Sequence, residues 1–146
     1  MKYMCKKHRN WLVEHPTELL PSFRKTRMAG RAAMARLSWD HAVLYYGNAL
    51  EMSEIMLIQK PGQRTQQRYV DTAIEMMHAL RNSAQASSSH FLFSHVLDRL
   101  EQEAEHLFTV ESLAVLRNVA FGSKEKANAR LEQQPSQLQP TSDYLH

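Results

Sequence analysis

Arg24, Arg27 and Arg31 stand at i, i+3 and i+7, a spacing that brings three guanidinium groups onto one face of a helix. A guanidinium is a planar fork that holds a carboxylate or phosphate through paired hydrogen bonds. Three in series point to recognition of an anion. A solvated helix face that binds nothing specific is the plainer alternative. Lys2, Lys6, Lys7, Arg9 and Lys25 widen the basic field: residues 1–36 hold nine Lys/Arg against two acids, and the other 110 residues hold nine against thirteen. A balance of +7 is thus joined to a body of −4, a dipolar layout suited to an acidic peptide or to nucleic-acid phosphates. No helix-turn-helix glycine pattern, RNA-binding sheet motif or zinc module accompanies the charge, so nucleic acid ranks second.

Other reactive residue types lack partners at usable spacing. Cys5 and His8 are two potential metal ligands with His15 close by, but no second Cys/His pair completes a four-ligand zinc site. His90 and His95 are five apart and diverge on a helix. Glu101, Glu103 and Glu105 scatter around a helix, and His106 beside Glu105 does not make a catalytic pair. There is no phosphate-binding glycine loop, nucleophile elbow or dinucleotide fingerprint. The expectation is a non-enzymatic protein with no cofactor and no metal. A single cysteine excludes an internal disulfide and suits a reducing compartment. Lys6 to Arg9 interrupt any apolar stretch after the N-terminus, and no run is long enough to span a bilayer. Cytoplasm is the expected location, with no membrane partner.

The elements that must position these residues read as helices throughout. At 146 residues with 43% hydrophobic and 23% charged residues, the chain has enough length for one domain with a real core. Leu, Met and Ala dominate its apolar content, and no stretch shows two-residue alternation between hairpin turns. Residues 1–22 read as a basic segment with a short helix to Glu14, broken by His15-Pro16 and Leu20-Pro21. Phe23 to Leu37 is helical, with Met28, Ala29, Ala32, Ala33 and Leu37 as buried candidates. Ser38 is a plausible N-cap for a helix from Trp39, with one long bent helix as the competing reading. The stripe of that segment runs through Ala42, Tyr45, Tyr46, Ala49 and Leu50 to Leu57, and Lys60-Pro61-Gly62 stops it.

Thr65 can cap the next helix, with Tyr69, Ala73, Met76, Met77, Leu80 and Ala84 inward. A helix over 90–105 should turn Phe93, Val96, Leu97, Leu100 and Ala104 inward, and another capped by Thr109 should bury Leu113, Leu116, Val119 and Ala120. Gly122 suits a left-handed cap, Ser123 could open a last helix to Gln133, and residues 134–146 read as a disordered tail.

Gly30, Ala42, Tyr46 and Ala49 are separated by twelve, four and three residues, with Leu50 following. This series of small, aromatic and small residues resembles the tetratricopeptide repeat, a helix-turn-helix unit of about 34 residues. The likeness covers residues 23–57. Thr26 stands where the family places tryptophan, and Glu54 where it places a closing proline. Weaker registers run through Met77, Ser89 and Phe93, and through Ala127 and Leu131 in a capping unit over 108–133. An unrelated helical bundle remains the alternative.

The resemblance implies an all-α domain over residues 23–133, with about five to seven helices stacked as antiparallel hairpins in a short right-handed superhelix. It also implies a concave groove walled by the first helix of each unit. Arg24, Arg27, Arg31 and Met34 would line it, joined from the second unit by His78, Arg81 and Asn82. Such a groove implies an adaptor or chaperone-like module that takes an acidic peptide segment or a C-terminal carboxylate. A homodimer is a further possibility, because a short array leaves apolar faces at its ends.

Overall fold

The computed structural model describes residues 2–103, 110–123, 126 and 128. Among the described residues the protein is all-α, with no strand. Its helices are α1 (Lys6–Glu14), α2 (Leu19–Ala35), α3 (Trp39–Gln59), α4 (Gln63–Asn82), α5 (Ser89–Glu101) and α6 (Val110–Phe121). Single 3-10 turns at Pro16–Glu18 and Ala86–Ser88 lead into α2 and α5.

α3 organises the stack. From Ala42 to Leu57 only Leu44, Tyr45, Asn48 and Glu54 escape burial, and a helix covered on nearly all sides must lie between others. α2 and α4 flank it, each joined by three residues, so each is an antiparallel neighbour and the two run in the same direction. Gly30 lets α2 approach closely: a Cβ there would stand 3.1 Å from three atoms of the Tyr46 ring. α5 and α6 pack on α4 through Leu92, Val96 and Leu100 and through Leu116, Val119 and Ala120.

The α2–α3 junction is a true break rather than a bend. Leu37 adopts φ 59°, its N–H donates to the Met34 carbonyl at 2.9 Å, and the Ser38 N–H donates to Ala33 at 2.8 Å. This is a Schellman closure with leucine in the left-handed position that usually falls to glycine. Ser38 does precede α3, but its Oγ lies 2.7 Å from His41 Nδ1 and caps no backbone group.

Several local expectations are corrected. α2 starts at Leu19, because Pro21 falls in the first turn, where the missing N–H has no helical acceptor. Its buried face is Phe23, Arg27, Gly30 and Met34, so Met28, Ala32 and Leu37 are exposed or partly so. Tyr45 and Ala84 are exposed as well, and Leu92, not Phe93, is the fully buried residue at the start of α5. α4 begins at Gln63; Thr65 sits inside its first turn and donates to the Lys60 and Gly62 carbonyls at 2.9 and 3.1 Å. Gly122 is not left-handed. A Cβ there would meet the Asn118 carbonyl oxygen, which already accepts the Gly122 N–H at 2.8 Å. Thr109, Ala104, Ala127, Leu131 and the 134–146 tail lie outside the described residues.

The first residues dock on α3. Leu12 and Met4 are buried against Ala49, Met52, Ile55 and Met56, and the Tyr3 ring lies on the bare backbone of Gly47. The backbone N–H groups of Tyr3 and Met4 both donate to Glu51 Oε2, at 2.7 and 2.5 Å. That buried carboxylate therefore ties the N-terminal segment to the middle of the stack.

Candidate functional site

Helical spacing does bring Arg27 and Arg31 to one face, but that face is turned inward. Glu75 of α4 accepts from Arg27 Nε at 2.5 Å and from Arg31 Nε at 2.9 Å. Tyr46 Oη reaches the same carboxylate from α3 at 3.5 Å, the outer limit of a hydrogen bond. Arg27 is only 3% exposed and Glu75 2%. Three helices thus converge on one carboxylate. Burial pushes the Glu75 carboxyl above its ordinary value, and the two guanidiniums pull in the opposite direction. The Tyr46 hydroxyl is also pushed up, first by burial and then by the Glu75 charge, so it stays a neutral donor.

The expected groove residues therefore have other employment. Met34 is core, and His78 is buried. Arg81 spans to the end of α6, donating at 2.8 Å to the carbonyls of Val119, Ala120 and Gly122. These are the orphan acceptors of a helix C-terminus, so Arg81 serves as a cap from a neighbouring helix. Asn82 donates to the His78 carbonyl at 2.8 Å and pairs with Asn128 at 3.1 Å. Arg24 is half-buried, and its Nε and Nη2 have no hydrogen-bond partner among the described residues.

A second cationic surface, missed by the sequence reading, lies at the α3–α4 corner. A cleft of about 740 Å³ opens between the start of α2 and the start of α4. Leu19, Leu20 and Met56 supply apolar wall, and Lys60, Arg64 and Arg68 supply charge; no acidic residue lines it. Lys60 and Arg64 are exposed. Arg68 is buried, its guanidinium 5.9 Å from the centre of the Phe23 ring, a cation–π distance. The N-terminus of α4 faces this corner, and Gly62 offers no side chain to cap it, so the helix dipole adds to the positive field. Leu20 and Arg24 continue along α2 towards Arg27, and Arg64 and Arg68 continue along α4 towards Glu75. The cleft is therefore the open end of an arginine-rich seam whose far end is closed by Glu75.

Signals for both features exist in the sequence. Glu75 interrupts the apolar run Ala73-Ile74-Glu75-Met76-Met77, and an acid at a core position needs a buried cation. Lys60, Arg64 and Arg68 recur every four residues across a helix start, the place where anions bind most readily.

A third charged group joins α3 to α5. Glu54 faces His95 Nε2 at 3.3 Å and Arg99 Nη1 at 3.8 Å. Burial alone would raise the Glu54 carboxyl, but the His95 hydrogen bond and the charges of His95, Arg99 and Arg9 outweigh it and hold the group below its ordinary value.

Among the described residues no three His, Cys, Asp or Glu side chains gather as a metal site. Cys5 is exposed and its Sγ accepts the His8 N–H at 3.4 Å, capping α1. No described helix is long and apolar enough to cross a membrane. No family model, curated protein or solved structure matches this chain.

Proposed function

We propose that this chain is a non-enzymatic interaction module that takes an acidic, partly apolar protein segment at the α3–α4 corner. The carrying observation is the cleft itself, with apolar walls, three cationic side chains and no acid in its lining. An acidic segment would place apolar side chains against Pro16, Leu20 and Pro61 and carboxylates beside Lys60 and Arg64. The Arg-lined groove suggested by the tetratricopeptide resemblance is retained in this form, shifted to the open end of the seam. An adaptor or chaperone-like role in the cytoplasm accords with such binding and with the single cysteine.

The probe is a fluorescein-labelled peptide alternating Leu with Asp/Glu, read by anisotropy. Lys60→Glu with Arg64→Glu should weaken binding at least tenfold, roughly 1.4 kcal/mol, and raised salt should weaken the wild type. Equal affinity of wild type and variant would refute the assignment.

A second reading, nucleic-acid binding, is favoured by α1. Trp11 is 44% exposed and stacks on His15 with ring centroids 4.2 Å apart, and Lys7 and His8 lie one turn earlier on the same face. An exposed aromatic beside cations is a stacking platform for a single-stranded base. Labelled oligo-dT tests it: retention at low salt that Trp11→Ala abolishes would move the function to nucleic acid.

A further inference from the structure

Arg27 and Arg31 each give Nε to the Glu75 carboxylate, and Arg24, the first arginine of the row, does not. On Arg24 both Nε and Nη2 are enclosed and lack a hydrogen-bond partner among the described residues. Those two atoms form one edge of the planar guanidinium. It is an edge whose parallel N–H bonds match two oxygens of a carboxylate or a phosphoryl group. A cationic donor pair shut off from water without an acceptor is costly, and an incoming oxyanion removes that cost.

The stripe of α2 connects this edge to the α3–α4 cleft. Leu20, one turn before Arg24, lines the cleft, and Arg27 and Arg31, one and two turns after it, meet α4 at Glu75. Arg24 shares their stripe and therefore faces α4 between those two places. Because α2 and α4 run in the same direction, Arg24 stands level with the stretch of α4 between Arg68, a cleft residue, and Glu75. Along this seam Arg24, Arg27, Arg31 and Arg68 stand against the carboxylates of Asp71 and Glu75. Glu75 is already shared by two arginines, and Asp71 accepts from Gln67 at 2.8 Å. One further carboxylate leaves the seam positive, whereas a dianion balances it. A phosphoryl group has that charge near neutral pH and the oxygens that a two-donor edge requires.

We infer that Arg24 anchors a phosphorylated side chain of the acidic segment. Its Nε–Nη2 edge takes two phosphoryl oxygens while Lys60 and Arg64 meet carboxylates at the cleft. This rests on the cleft as the segment's site and adds a requirement for phosphate.

The test compares two series of fluorescein-labelled Leu/Asp/Glu peptides by anisotropy. One carries phosphoserine at each position in turn, and the other carries glutamate there. At the best position the phosphopeptide should bind the wild type at least about tenfold more tightly than its glutamate counterpart. Arg24→Met should reduce that ratio below about twofold. Arg24→Lys keeps the charge without the fork and should leave the ratio below about threefold; full recovery would overturn the two-donor contact. Urea unfolding checks the fold of Arg24→Met, whose midpoint should not fall, because Nε and Nη2 lose no partner. A clear fall would make Arg24 structural and overturn the inference. Equal affinity within every peptide pair would overturn it while leaving the cleft as the site of an acidic segment, and binding of neither series would remove that site too. Inorganic phosphate that raises the wild-type midpoint, without any preference between the peptides, would assign the edge to a free anion and overturn the inference equally.

Discussion

Arg27 and Arg31 of α2 and Lys60 and Arg64 at the start of α4 share charge and helical spacing, yet they have opposite fates. The first pair is enclosed around Glu75, and the second lies open beside apolar surface without an acid in the cleft lining. The difference is made by one carboxylate, 48 and 44 residues away from the arginines it engages. A row of cations therefore states an appetite for anions, and the fold decides whether that row is enclosed around a carboxylate of the chain or lies at its surface. Inside, the same chemistry specifies which helices pair; at the cleft it presents positive charge beside apolar surface.

The sharpest way to break this contrast is to remove the internal anion. Glu75→Gln leaves two enclosed guanidiniums without a countercharge and should cost about 3–5 kcal/mol in urea unfolding. Replacing all three partners, with Arg27→Met, Arg31→Met and Glu75→Leu together, should recover most of that loss, because no charge is then left buried. A cost for Glu75→Gln below about 1 kcal/mol would mean that the seam is wet and the two regions are alike.

Gly30→Ala attacks the same network through packing. Its Cβ would press on the Tyr46 ring, which is fully buried and tethered to Glu75. Strain should exceed the helix-propensity gain of about 1 kcal/mol and leave the variant about 1–2 kcal/mol less stable. An unchanged midpoint would show that Tyr46 has room to move.

Glu54 lies between the two extremes, partly exposed and paired across α3 and α5. A carboxyl held lower in the folded state than in the unfolded chain adds stability in its ionised form. That contribution is complete above the unfolded value near 4.5 and is lost as pH falls through the lower folded value. Glu54→Gln should therefore cost about 1 kcal/mol at neutral pH and progressively less in acid, measured as paired denaturation curves against pH. A difference that does not change with pH would remove the ionic account of that contact.

The smallest expected effect belongs to the open region. Lys60→Glu with Arg64→Glu should leave unfolding free energy within about 0.5 kcal/mol of wild type, even as acidic-peptide affinity collapses. A large loss of stability there would make those cations structural, like their counterparts on α2.

Much of the scaffold was legible in advance because helix signals are local. The Lys60-Pro61-Gly62 stop, the stripe of α3 and the inward residues Tyr69, Ala73, Met76, Met77 and Leu80 all follow from neighbours within four positions. The face of α2 was displaced because Arg27 outcompeted Met28 for the interior, and hydrophobicity ranks those two in the opposite order. Only a buried carboxylate reverses that ranking, and nothing near Arg27 announces one. Arg81 illustrates the same limit. Its role as a cap depends on where the last carbonyls of α6 arrive, about forty residues further along.

The sequence by itself determined an all-helical chain, the stop at Lys60-Pro61-Gly62 and a basic first third, since each depends on propensity, periodicity or composition. Only the tertiary structure decided which arginines are spent internally and where the open cationic cleft lies. Those outcomes depend on distances between residues far apart in the chain, and a buried charge is stable only where its partner has been brought to meet it.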